Sequence, residues 1–160
     1  MKLEKLKNPK VWAPTLLVLA SLSSIPFWVG EDREDKHGRE PHEVAVMWQN
    51  AYLQDHGALI RELSVPEYAK EIAEVLDISL TQGKQNDEKV PDNWVIEEYR
   101  ISEDHYLCHL MWVDDTVGKN GNYFRIKRIN DEWQVDDLDP REFDQEIMGL
   151  KPRIIRGDEQ

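Results

Sequence analysis

"NYFRIKRINDEWQVDDLDP", residues 122–140, decides the fold. Phe124, Ile126 and Ile129 stand among Arg125, Lys127 and Arg128. The chain then turns through Asn130-Asp131 into Trp133 and Val135, and ends in Asp136, Asp137 and Asp139. Two apolar-alternating runs joined by a two-residue Asn-Asp turn spell a β-hairpin, with strands at 122–129 and 132–138.

Working back from the hairpin, the same period of two recurs. In "HYLCHLMWV" (105–113), Tyr106, Cys108, Leu110 and Trp112 alternate with His105, Leu107, His109 and Met111. In 94–101, Val95, Tyr99 and Ile101 alternate with Trp94, Ile96 and Arg100. "SED" (102–104) and "DDTVGKNG" (114–121) supply the turns, so a four-stranded antiparallel meander is expected. Ahead of it the period changes. Val44, Met47, Trp48, Ala51 and Tyr52 recur at helical spacing, the pattern breaks at "QDHG" (54–57), and it resumes with Ala58, Leu59, Ile60 and Leu63. "SVPE" (64–67) reads as a start signal with Ser64 as cap, for a helix whose apolar face runs Tyr68, Ile72, Val75, Leu76, Ser79 and Leu80 and which ends before Gly83. Residues 82–93 read as a loop, 141–149 as a short helix, and the chain beyond Lys151 as loose. Helices first and sheet second give an α+β domain with the helices packed on one sheet face.

The first thirty residues are of another kind. "VWAPTLLVLASLSSIPFWVG", 11–30, carries no charge over 20 positions. As a helix it is about 30 Å long, the thickness of a bilayer's hydrocarbon. Trp12 and Trp28 lie near its ends, where aromatic side chains favour the interface. Lys2, Lys5, Lys7 and Lys10 precede it and "EDREDKHGRE" follows, so the positive-inside rule puts residues 1–10 in the cytoplasm and 31–160 outside. Ala20, Ser21, Ser23 and Ser24 also offer a cleavage site, so a removed signal peptide is the competing reading; the apolar run through Val29 favours a retained single-pass anchor. The expected organisation is a cytoplasmic basic segment 1–10, an anchor 11–30, a linker 31–41, an α+β domain 42–140 and a tail 141–160.

Net charge is −12. Outside residues 1–10 there are 16 basic and 31 acidic residues, a net of −15 that repels nucleic-acid phosphates. Other membrane or envelope proteins, and copies of the chain itself, are the expected partners. Cys108 is the lone cysteine, which excludes an intrachain disulfide and any multi-cysteine metal site.

No arrangement completes a catalytic or metal site, and no cofactor is expected. His105 and His109 fall four residues apart on a strand, about 13 Å, too far to share one ion. Asp55-His56 sits at the helix break, where a turn role competes with an acid–base pair. Asp114-Asp115 and Asp136-Asp137-Asp139 could bind calcium, but "DDLDP" has no glycine and no distal glutamate at calcium-loop spacing, and a solvated acidic edge is the favoured reading. His37 and His42 fall near the linker with nothing to complete a site. Arg156-Gly157-Asp158 matches an integrin-binding tripeptide only by its three letters.

The order helix, short helix, helix, then a meander closing in "YFRIKRINDEWQVDDL" resembles the nuclear-transport-factor-like (cystatin-like) superfamily. Phe124, Asn130-Asp131, Trp133 and Val135 fill the places of that family's last hairpin, and the resemblance covers about residues 42–138. It implies a cone-shaped α+β domain. Among anchored members it implies a non-enzymatic interaction or assembly part of a secretion- or transfer-type envelope complex, with a small-ligand binder or an Asp/His enzyme as alternatives. In that frame Trp48, Trp112 and Trp133 are expected to plug the cone. Arg125, Lys127, Arg128, Asp136 and Asp137 form the candidate interaction surface.

Overall fold

The 122–140 hairpin is one edge of a five-stranded antiparallel sheet. A computed structural model of the chain describes residues 33–157, so the expected cytoplasmic segment, the anchor 11–30 and Asp158 lie outside the described residues. Among the described residues no helix is long and apolar enough to cross a membrane. The strands are β1 (Val95–Ser102), β2 (His105–Asp114), β3 (Gly118–Ile129), β4 (Glu132–Asp136) and β5 (Arg153–Arg156), in the order β4-β3-β2-β1-β5. The helices are α1 (Pro41–Leu53), α2 (Gly57–Leu63), α3 (Pro66–Leu76) and α4 (Pro140–Glu146). The architecture is α+β.

Turn chemistry sets the strand boundaries. Asn130 and Asp131 both take positive φ, 51° and 63°, and Ile129 pairs with Glu132 across them. That is the two-residue turn whose twist matches paired strands. Between β2 and β3 the Asp114 carboxylate accepts the amides of Thr116 (2.7 Å) and Val117 (3.1 Å). Gly118 follows at φ +82°. This tight turn lets β3 begin at Gly118, four residues earlier than the alternation suggests, while β4 stops at Asp136.

Alternation sends one set of side chains inward. Ile96, Tyr106, Cys108, Leu110, Phe124, Ile126, Trp133 and Val135 meet Val44, Ala45 and Trp48 of α1 in the main core. Trp48 stacks between Tyr52 (5.6 Å) and Tyr68 of α3 (5.7 Å), with Phe124 edge-on. Trp133 meets Tyr106 edge-on at 5.3 Å, and its Nε1 donates to Arg33 O at 2.8 Å. The buried rings among these, Trp48, Trp133, Tyr106 and Phe124, each contribute several kcal/mol, since removing a buried large aromatic typically costs about 3–5 kcal/mol. Trp112 is only partly buried, at the rim of this core.

Four expectations are corrected. Ser64 does not cap α3. Val65 holds the cap position, while buried Ser64 accepts Trp48 Nε1–H at 2.7 Å. A hydroxyl beside a buried indole N–H satisfies a donor that would otherwise be stranded. Second, α3 ends at Leu76 with left-handed Asp77, leaving Val75 70% exposed. Ser79 and Leu80 fold back beside α2, so closely that a Cβ on Gly57 would lie 2.0 Å from Ser79 O. Third, the chain beyond Lys151 is not loose, because Arg153–Arg156 pairs with Val95–Glu98 as a fifth strand. Fourth, the expected linker is not free from Arg33 on. Buried Asp35 accepts from the backbone N–H of Trp133 (3.2 Å) and from the Arg39 guanidinium (2.8 Å). Lys36 N donates to Asp131 O at 2.9 Å.

Candidate functional site

The outer face of the sheet is covered over half its length. Phe143 of α4 lies against Tyr99, Leu107, Tyr123 and His109. Asp139 caps this helix through Arg141 N at 2.8 Å. The next rows lie open. Val95, Met111 and Gly121 are register partners across β1, β2 and β3, and Val113 pairs with Lys119. With His109 stacked on Tyr123 at 4.3 Å, they line a shallow apolar depression of about 540 Å³. Gly121 keeps it open, for a Cβ there would meet Leu110 O at 3.1 Å and His109 Nε2 at 3.3 Å.

The hairpin's basic residues are already engaged. Arg125 donates to Glu142 (2.9 Å), Glu146 (2.6 Å) and Asp137 O (3.0 Å), and Lys127 to Asp136 (2.6 Å). Burial would lower the Arg125 pKa; its two glutamates outweigh this and raise it. Arg128 stacks over Trp133 at 4.5 Å and donates to Glu34 O at 2.8 Å, away from the other two. The candidate surface therefore divides. Arg125, Lys127 and Asp136 are paired on the outer side, Asp137 joins them only through its main-chain carbonyl, and Arg128 seals the aromatic core.

A second cluster escaped the sequence reading. Glu98 of β1, 3% exposed, points inward among apolar neighbours and is ion-paired by Arg33. His42, 5% exposed in the first turn of α1, holds Nδ1 3.6 Å from Glu98 Oε2 and 3.4 Å from Glu40 Oε2. Arg153 of β5 reaches Glu40 at 2.9 Å. Burial pushes the Glu98 carboxyl up, but His42 and Arg33 overcome it and hold it below the usual range. A carboxylate so stabilised is a weak general base. Glu98 shares a face with Trp94 and Ile96, which the structure buries, but both alternating sets of 94–101 carry apolar residues, so alternation alone does not choose that face.

The remaining candidates stay apart. Asp55, at φ 50°, and His56 form the α1–α2 turn. His105 is 4.0 Å from Glu146 and His109 3.5 Å from Glu97, each with its own acid. Burial lowers the His105 pKa. Cys108 is fully buried, which drives its thiol pKa well up and keeps it protonated. Among the described residues no group of three or more metal-ligating side chains converges. Arg156 lies in β5 and Gly157 N donates to Trp94 O at 3.1 Å, which ties two letters of the tripeptide to the sheet. Compared with protein-family models, curated proteins and solved structures, the chain has no match.

Proposed function

We propose that the chain is a membrane-anchored, extracytoplasmic interaction domain of the nuclear-transport-factor-like kind, an assembly part of an envelope complex rather than an enzyme. Residues 1–10 lie in the cytoplasm, 11–30 span the membrane and the folded domain stands outside. The observation that carries this reading is the contrast between a filled inner face and an open outer one. Trp48, Trp133, Tyr106 and Phe124 occupy the space under the sheet where a substrate would enter. The buried carboxylate beside an imidazole, Glu98, is neutralised by Arg33. The Val95–Met111–Gly121 row, by contrast, is an apolar surface on rigid strands, the kind of patch that marks contact with another protein.

Two measurements test it. Protease added to spheroplasts should remove the domain and leave a short membrane-bound stub; full protection of the domain overturns the topology. Proteins that co-purify with the detergent-solubilised chain should be lost from Met111→Asp, whose melting temperature stays near wild type. Retention of every partner by that variant overturns the outer face as the contact surface.

A further inference from the structure

The outer face holds two neighbouring seats, and one of them is filled. In register, the rows Tyr99–Leu107–Arg125, Glu97–His109–Tyr123 and Val95–Met111–Gly121 follow one another along the sheet. The first row carries Phe143, 2% exposed, with Tyr99 edge-on at 5.7 Å. The middle row is its wall: Tyr123 lies 4.7 Å and His109 6.1 Å from the same ring. Those two rings, stacked on each other, also line the open depression on the third row. One wall therefore serves two seats, and the described residues occupy only one side of it.

The filled seat shows what this face holds. Its occupant comes from one helical turn of α4, in which Phe143 is turned to the sheet and Glu142 and Glu146 flank it on Arg125, at 2.9 Å and 2.6 Å. The open seat repeats the parts. Half-buried Val95 and Met111 give an apolar floor. On β3 the position beside them is Gly121, whose missing side chain leaves room for a ring, and the cation follows at Lys119. Lys119 is exposed, and among the described residues its ammonium makes no ion pair. None of the described residues lining the depression is acidic, in a protein of net charge −12. Two adjoining carboxylates are engaged: Glu97 faces His109 Nδ1 at 3.5 Å, and Asp114 holds the Thr116 and Val117 amides. An apolar hollow with aromatic walls and one unpaired ammonium is complementary to a ring accompanied by a carboxylate.

We propose that the open seat receives an aromatic side chain of a different protein, borne on a short acidic helix like α4, with the ring over Gly121 against the His109–Tyr123 wall and a neighbouring glutamate on Lys119. This rests on the reading of the outer face as a contact surface and names the chemistry of the partner. In the described part of a second copy, Phe143 is already seated and no other aromatic side chain stands exposed, so a second copy is the poorer occupant.

The test uses the full-length chain in detergent with isotope-labelled methionine methyl groups, followed by NMR. The Met111 methyl stands in the depression, and that of Met148, 80% exposed just past α4, reports on α4. The probe is an end-capped peptide, Ser-Ala-Glu-Phe-Ala-Gln-Glu-Ala-Ala-Gln, which keeps the glutamate and phenylalanine spacing of 142–146. A saturable shift of Met111 is expected, with Met148 unmoved. Alanine in place of the peptide's phenylalanine should abolish it. Glutamine in place of both peptide glutamates should weaken binding about threefold, the scale of an exposed ion pair. These arms leave the protein untouched, so they cannot fail through misfolding. Lys119→Gln should bind the glutamate and glutamine peptides alike. Absence of a Met111 shift at about 1 mM peptide overturns the proposal, as does equal binding of the two peptides by the unaltered chain. A Met148 shift as large as that of Met111 shows α4 displaced from the filled seat, and a Met111 shift that grows with protein concentration alone shows a second copy; either overturns it. Loss of co-purifying partners from Met111→Asp without any peptide shift keeps the outer face as a contact surface and overturns only the occupant, whereas retention of those partners removes the surface itself.

Discussion

The two faces of one sheet have opposite fates. The inner face receives α1 and closes over Trp48, Trp133, Phe124 and Tyr106, with both indole N–H groups matched, to Ser64 Oγ and Arg33 O. Among the described residues the outer face receives only α4, which seats one large ring, Phe143, and leaves the Val95–Met111–Gly121 row, half-buried at Val95 and Met111, to line a depression. Strands that alternate apolar residues on both sides need two covers, and the described residues supply one and a half. The lesson is that burial and availability are divided between faces, so a substitution's effect should depend on which way its side chain points.

The sharpest way to break that comparison is Trp133→Ala. It removes a fully buried indole, its hydrogen bond and the platform under Arg128, and should cost about 3–5 kcal/mol. Such a loss rivals the low end of a domain's whole stability. Thermal melts of the solubilised chain check it, and a shift of only a degree or two would mean that the inner face is not where stability resides. Phe143→Ala is expected at the low end of the same range, about 3 kcal/mol, because the two-turn α4 can settle toward the gap. Hydrogen exchange should rise first across 140–147 while α1 stays protected. Equal loosening of both regions would erase the distinction between the faces.

The smallest of the three effects is set by acid. Burial favours the protonated form of Asp35, but bonds from Arg39, His37 N and Trp133 N outweigh it and hold its pKa at about 2, below the ordinary 3.8. A carboxyl depressed on folding stabilises the native state above its unfolded pKa. That contribution, about 2 kcal/mol at neutral pH, fades as pH falls from about 4 through about 2. Asp35→Asn should flatten this acid limb in a urea titration repeated across pH. An unchanged limb would show that the Asp35 contacts do not fasten the 33–40 segment to the inner side.

Much of this was legible where the cause is local. The helix break is written in Asp55-His56-Gly57, where a left-handed residue and a glycine without room for a Cβ stand side by side. The hairpin turn is written in Asn130-Asp131, two residues that tolerate positive φ. What escaped depends on distant partners. Arg153–Arg156 becomes a strand only because Val95–Glu98 offers an edge far back in the sequence. Ser64 has the look of a cap until Trp48 claims its hydroxyl. Glu98, His42 and Arg33 come from three separate segments, so no spacing rule links them. Glu98 itself stays hidden because both faces of its strand carry apolar residues, Val95 and Tyr99 on one and Trp94 and Ile96 on the other.

The 33–40 segment has a mechanical consequence. Arg33 grips β1 through the Glu98 side chain, and its carbonyl takes the indole N–H of Trp133 on β4. A pull on the chain ahead of Arg33 therefore enters the sheet at two strands separated by β2 and β3, instead of peeling one strand from its end. Load shared in this way must break an ion pair and an indole bond together before the segment lifts.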